Sequence, residues 1–187
     1  MGNTASNVTA GKPKVTGAIW AAPKGTTLPT DTTTALGGSF VCLGYVSDAG
    51  VSNGTGLEMT DVKAWGGDNV LSIQTSKDDT YKFTLIEVLN ADVMKFVYGS
   101  DNVTGTLASG LTLKVNNKDI DERALVIDMI LRDNTAKRIT IPDAKVTAVD
   151  DIVYADNAAV GYGTTLKCLA DSSGNTHYEY FKKPASV

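Results

Sequence analysis

The stretch Val70-Leu71-Ser72-Ile73-Gln74-Thr75-Ser76-Lys77-Asp78-Asp79-Thr80-Tyr81-Lys82-Phe83-Thr84-Leu85 decides the fold class. Leu71, Ile73 and Thr75 alternate with Ser72, Gln74 and Ser76. Beyond Lys77-Asp78-Asp79, Tyr81, Phe83 and Leu85 alternate with Thr80, Lys82 and Thr84. A period of two sends successive side chains to opposite faces of a strand, so the segment carries one apolar and one wettable face. The polar triplet reads as a turn. Val70 to Leu89 is therefore predicted to be a β-hairpin that buries Leu71, Ile73, Tyr81, Phe83 and Leu85.

Working outward, Asn90 can cap a short helix, Ala91 to Tyr98, with Asp92 in its first turn and Gly99 just past its end. It is the one good helix candidate. Leu111 to Val115 reads as a strand. So does Ala124 to Arg132, with Leu125, Ile127, Met129 and Leu131 on one face and Asp128 and Arg132 on the other. Arg138 to Ile141 and Lys145 to Val149 flank Pro142, which lacks an N–H and implies a bulge or a break. Thr164 to Leu169 and His177 to Phe181 are predicted to form a last hairpin around Asp171-Ser172-Ser173-Gly174-Asn175. Upstream, Phe40 to Val46 reads as a buried strand, Gly17 to Ala22 as an apolar run stopped by Pro23, and Lys24 to Thr34 as a loop. Residues 1–16 are polar and without period, a flexible arm. About nine strands and one helix predict a mainly β domain over residues 17–187, a sandwich or open barrel with one short flanking helix.

One excursion stands apart. Ser47 to Asp68 holds Gly50, Gly54, Gly56, Gly66 and Gly67 among charges and a lone Trp65, and is expected to be a long functional loop.

Composition narrows the function. The 187 residues suffice for one core without disulfide or metal. A formal net charge of −4 with scattered basic residues excludes a protein that grips nucleic acid by its phosphates. Cys42 and Cys168 sit in apolar runs and read as buried thiols, with a bridge between them left open. No stretch is long and apolar enough for a membrane span, and no signal core opens the chain. The myristoylation-like start Met1-Gly2-Asn3-Thr4-Ala5-Ser6 and the sequons at Asn7, Asn53 and Asn102 are short patterns that chance explains.

Catalytic chemistry finds no foothold. The single histidine, His177, lacks identifiable triad partners, and with two separated cysteines it makes too few ligands for zinc. Asp78-Asp79, Asp119-Asp121 and Asp150-Asp151 lack the spacing of a calcium loop. Gly161-Tyr162-Gly163 precedes a strand, unlike a phosphate cradle. No enzyme, cofactor or metal is expected. Trp20, Trp65, Tyr178 and Tyr180 leave open a rival reading, a monomeric immunoglobulin-like or carbohydrate-binding β-sandwich on a virion or cell surface.

Three blocks in order carry a resemblance. Gly17-Ala18-Ile19-Trp20-Ala21-Ala22-Pro23-Lys24-Gly25-Thr26-Thr27-Leu28-Pro29-Thr30-Asp31, then Leu43-Gly44-Tyr45-Val46-Ser47-Asp48-Ala49-Gly50-Val51, then Lys63-Ala64-Trp65-Gly66-Gly67-Asp68 resemble major tail (tail tube) proteins of siphovirus-type phages, notably those of actinobacterial and other Gram-positive hosts. A hairpin ending in Phe83-Thr84-Leu85-Ile86-Glu87 before a short helix also fits. The likeness covers residues 17–99. It implies a subunit whose inner strands join a barrel across six copies, with rings stacked into a tube. The tube would surround the tape measure protein, meet terminator and distal tail proteins, and pass DNA. Assembly in the host cytoplasm and residence in the virion tail follow from it.

Two surfaces are then expected. The Ser47 to Asp68 excursion, with Asp48, Glu58, Asp61, Lys63, Trp65 and Asp68, is a candidate inter-ring interface. A glycine-rich stretch with little to bury gains order chiefly from a partner, and Trp is a common anchor. The other reading is a mobile loop whose Trp65 folds back on its own core. Ser72, Gln74, Ser76, Thr80, Lys82 and Thr84, joined by Asp128 and Arg132, are candidate lumen-facing residues; outer solvent surface is the alternative.

Overall fold

The computed structural model describes residues 2–184, so Met1, which opens the myristoylation-like pattern, lies outside it. Its strands are β1 (Lys12–Pro13), β2 (Ile19–Pro23), β3 (Val41–Cys42), β4 (Val46–Lys63), β5 (Asn69–Leu85), β6 (Val103–Thr106), β7 (Gly110–Leu113), β8 (Arg123–Ile130), β9 (Ala136–Val149), β10 (Tyr162–Cys168) and β11 (Tyr178–Lys182). One α-helix, α1 (Ala91–Tyr98), lies between β5 and β6. Nine strands form one antiparallel sheet in the order β3-β2-β8-β9-β10-β5-β4, with β1 also on β8 and β11 also on β9; β6 and β7 pair separately.

The sheet curls. Strands β3 and β4 stand at opposite ends of that order, yet Cys42 and Val46 are four residues apart, a span of at most about 14 Å. Leu43 donates to the Ile19 carbonyl on one side and Ile86 to the Tyr45 carbonyl on the other, which draws the two edges together. Gly44 makes that crossing at φ +72°, where a Cβ would collide with the Glu87 carboxylate that receives the Tyr45 N–H. The result is the open barrel with one short helix that the alternating pattern predicts.

Inside it, Ile19, Leu43, Tyr81, Phe83, Leu85, Leu125, Ile127, Ile141 and Leu166 make the core. Helix α1 packs Val93, Phe96 and Val97 against it, with Phe96 stacked on Phe83 at 6.4 Å between centroids. The cap forms as expected: Asn90 accepts from the Asp92 N–H at 3.0 Å, and Gly99 at φ +94° closes the last turn.

Four local expectations are corrected. No turn occurs at Lys77-Asp78-Asp79, because β5 runs straight through and these residues pair with Leu57, Gly56 and Thr55 of β4. The excursion expected as a loop is thus a strand. Phe40 to Val46 is mostly irregular, with Val41–Cys42 paired to β2 and Val46 already in β4, although Phe40 and Leu43 are buried. The last two strands do not pair with each other: β10 faces Ala144 to Val149 of β9 and β11 faces Ala136 to Thr140, so β11 resumes the line that β10 leaves. Around Pro142 the strand stays whole, and a register shift between Arg123 and Leu125 of β8 absorbs it as a bulge. Cys42 and Cys168 are free thiols. The N-terminal segment lies along β8, held by β1 pairing and by the Thr9 hydroxyl, which accepts from the Arg132 N–H.

Candidate functional site

The outstanding surface is an arm. Strands β4 and β5 leave the barrel together as a two-stranded ribbon whose residues from 54 to 78 are nearly all exposed. From Asp79, the buried residue of β5 nearest the tip, to Asn69 the ribbon extends roughly 33 Å. Its tip is a tight turn in which Ala64 donates to the Asp68 carbonyl and Gly67 to that of Ala64. Gly66 and Gly67 take φ of +129° and +102°, which side chains resist, so the turn depends on the glycine pair. Trp65 stands fully in solvent at this tip, so it does not fold back on its own core.

Apolar residues continue up the arm but not on one face: β5 carries an extra residue at Thr75, since Ser76 and Gln74 pair with consecutive Glu58 and Met59, so Val62, Leu71 and Ile73 lie on the opposite face from Leu57 and Met59. Val62 pairs with Leu71, Thr60 with Ile73 and Leu57 with Lys77. Leu71 and Ile73, expected to be buried, are 55% and 46% exposed in the single chain, because the barrel body ends below them. Of the residues predicted for an inter-ring surface, Glu58, Asp61, Lys63, Trp65 and Asp68 cluster on the outer arm, whereas Asp48 sits in the bulge at its base. Asp61 accepts from Ser72 at 2.7 Å and from Asn69 at 3.0 Å, which ties the two strands near the tip.

A buried carboxylate holds the root. Asp79 accepts from Asn53 of β4 at 2.7 Å, from Thr176 at 2.7 Å and from His177 at 2.5 Å. Burial opposes its ionisation, but these bonds outweigh burial and keep its carboxyl below the ordinary carboxylate range. Tyr81 packs edge-on against His177 at 5.6 Å. His177 is therefore a packed side chain that pins the 169–177 excursion to the root of the arm. No sequence signal pointed to this clamp, since Asp79 stood in the presumed turn.

Ser76, Thr80, Lys82 and Thr84 share the wettable face of β5, whereas the extra residue at Thr75 turns Ser72 and Gln74 of the predicted set to the other face. Thr80 and Lys82 continue across to Lys167 and Thr165 of β10. Two further members of that predicted set are corrected. Asp128 has the same facing but is buried under residues 24–40, paired with Arg138 at 2.6 Å and with Lys14 at 3.6 Å. Arg132 follows the end of β8 in a 3₁₀ turn, where it donates to the Ala5 carbonyl.

Among the described residues no group of three His, Cys, Asp or Glu is placed to hold a metal, and no helix is long and apolar enough to cross a membrane. A family model described as phage tail tube protein matches residues 1–186. No curated protein sequence matches significantly. A solved structure titled as the anti-feeding prophage cap (AFP tube terminating cap) is similar at 9% identity and a TM-score of 0.42, over 97% of this chain and 100% of that one.

Proposed function

Since the chain belongs to the phage tail tube protein family, we propose that it is a non-catalytic subunit that assembles with copies of itself into rings, six to a ring, stacked as the tube of a virion tail. Residues 17–187 form the tube domain and residues 1–16 an arm along it. Inner sheets join edge to edge around the ring, the tape measure protein fills the bore during assembly, and DNA later passes through it. Terminator and distal tail proteins close the two ends, and assembly takes place in the host cytoplasm.

The arm is the observation that carries this reading. Its outer strand β4 leaves one full edge of eighteen residues unpaired among the described residues, and apolar side chains on both faces of the arm are exposed. A lone domain with a long open edge risks uncontrolled pairing, whereas a closed ring or tube satisfies the edge. A two-stranded ribbon is also marginal by itself and gains stability from a third strand or a packed face. Ser76, Thr80, Lys82 and Thr84 supply a wettable wall facing the bore that offers sliding DNA no apolar grip.

Negative-stain microscopy and light scattering of the purified chain over a wide concentration range test the reading. Rings or tubes are expected. A strict monomer throughout overturns it.

A further inference from the structure

We infer that the arms of neighbouring copies pair with each other side by side: the outer edge of β4, residues 54–63, adds to the open edge of β5, residues 69–78, on the next copy. This rests on the tube reading above and deepens it by naming the two edges that meet.

The arm has an open edge on each side. Among the described residues β4 pairs with β5 alone, along its whole length. On β5 the pairing with β10 stops at Asp79–Cys168, where the chain turns away through 169–177 to reach β11, which pairs with β9. Residues 69–78 therefore meet β4 on one side and no described strand on the other. Two stretches of equal length thus present unpaired backbone groups on opposite sides of one ribbon.

Neither edge is guarded. Open edges that must stay single are blunted by proline, by lysines along the strand, or by bulges that turn the edge aside. Residues 54–63 and 69–78 hold no proline and one lysine each, Lys63 and Lys77. Of the two extra residues on β5, Val70 lies next to the tip turn and Thr75 is drawn inward, its hydroxyl donating to the Glu58 carbonyl at 3.1 Å.

Direction selects the partner. Strands β4 and β5 run antiparallel. Copies related by rotation about a ring axis keep every arm pointing the same way, so β4 of one copy arrives antiparallel to β5 of the next. Each edge then finds a mate, and the contact is heterologous and closes with the ring. Pairing β4 with a second β4 would join two copies and leave both β5 edges open. The side chains agree. Exposed Val62, Leu71 and Ile73 share one face of the ribbon. At matched levels Val62 of one copy lies beside Leu71 of the next, repeating the pair each ribbon already makes within itself and covering apolar area that the single chain leaves in water.

Site-directed crosslinking tests it. Thr60 shares the face of Leu71, Ile73 and Ser76. Full-length chains in a Cys42→Ala background, with Cys168 buried, carry one new cysteine each: Thr60→Cys on β4, or Leu71→Cys, Ile73→Cys or Ser76→Cys on β5. Each chain is assembled alone and in mixtures, imaged, and treated with a short bis-maleimide. T60C mixed with at least one of the three β5 variants should give a band of twice the chain's mass, and the variant that does so reports the stagger between copies. Each chain alone should give no such band. Should T60C fail to assemble, Glu58→Cys carries the same test one level down the same face. Tubes in which none of the three mixtures crosslinks, or in which T60C alone crosslinks to itself, overturn the edge pairing and leave the tube reading standing. A wild-type chain that never assembles overturns both.

Discussion

Arg138 grips Asp128 across β8 and β9 with two bonds, Nε to Oδ1 at 2.6 Å and Nη2 to Oδ2 at 2.8 Å, and the residues are only 2% and 5% exposed. The remaining nitrogen, Nη1, reaches the Thr34 carbonyl at 2.7 Å and that of Asp31 at 3.1 Å, so the same guanidinium fastens the loop that covers the pair. Removing one partner strands a buried charge. Arg138→Leu or Asp128→Ala should therefore cost about 3–5 kcal/mol in urea unfolding. The double variant Asp128→Leu with Arg138→Met should recover most of that, short of wild type because the two loop carbonyls lose their donor. Single variants as stable as wild type would refute this account.

Acid should loosen the root of the arm before the barrel. A carboxyl whose folded pKa is lowered stabilises the fold above its ordinary value of 3.8, and that contribution disappears as pH falls through the lowered one. Asp79 is such a group, and its protonation weakens its hold on Thr176 and His177. Pepsin cleavage within residues 169–177 is expected to rise steeply below about pH 4. Asp79→Asn should be cleaved readily over the whole acid range. Identical cleavage profiles for the two proteins would contradict the clamp.

At the alkaline end the sign reverses. Burial, with a smaller push from the Asp79 charge, raises the Cys168 thiol from 9.0 to about 12, and burial drives the Tyr81 phenol up as well. The neutral forms belong to the fold, so their contribution is intact below the unfolded pKa values and is lost as pH climbs through them. The urea midpoint should hold to about pH 9 and then decline. Cys168→Ala should flatten the first part of that decline and leave the later, tyrosine part. A Cys168→Ala curve that falls as steeply from pH 9 would exclude the thiol as its source.

Hydrogen exchange should divide the long strand β5 in two. Tyr81, Phe83 and Leu85 lie in a ladder with β4 on one side and β10 on the other, whereas residues 69–78 have β4 alone. The outer ribbon should exchange orders of magnitude faster than the inner segment in free subunits, and should become protected in tubes. Trp65→Ala, at a side chain wholly in solvent, should change the monomer's stability by no more than about 0.5 kcal/mol. Equal protection of residues 69–78 before and after assembly would argue against any role for the arm in the contact.

Local signals were enough for α1 and for the facing of β5 from Ser76 to Leu85. Asn90, Asp92 and Gly99 act within one or two turns of their own positions, and the alternation from Leu71 to Leu85 is a property of the chain read alone. The open barrel followed from that alternation, and membership of a tail tube family agrees with the three ordered blocks of resemblance. Lys77-Asp78-Asp79 was another matter. Polar residues suit a turn or an exposed strand equally, and the choice came from β4, whose glycine-rich stretch has no strand propensity to advertise it. The alternation keeps its parity from Leu71 through Tyr81 in the sequence, but the extra residue at Thr75, set by the pairing with β4, reverses the facing beyond it. Asp128 likewise faces the wettable side but is dry, because Asp31 and Thr34, about a hundred residues away in sequence, close over it through Arg138. Caps and alternation arise from bonds between near neighbours, so sequence alone determines them. Register and cover arise between segments far apart in the chain, and only the folded structure decides which segments meet.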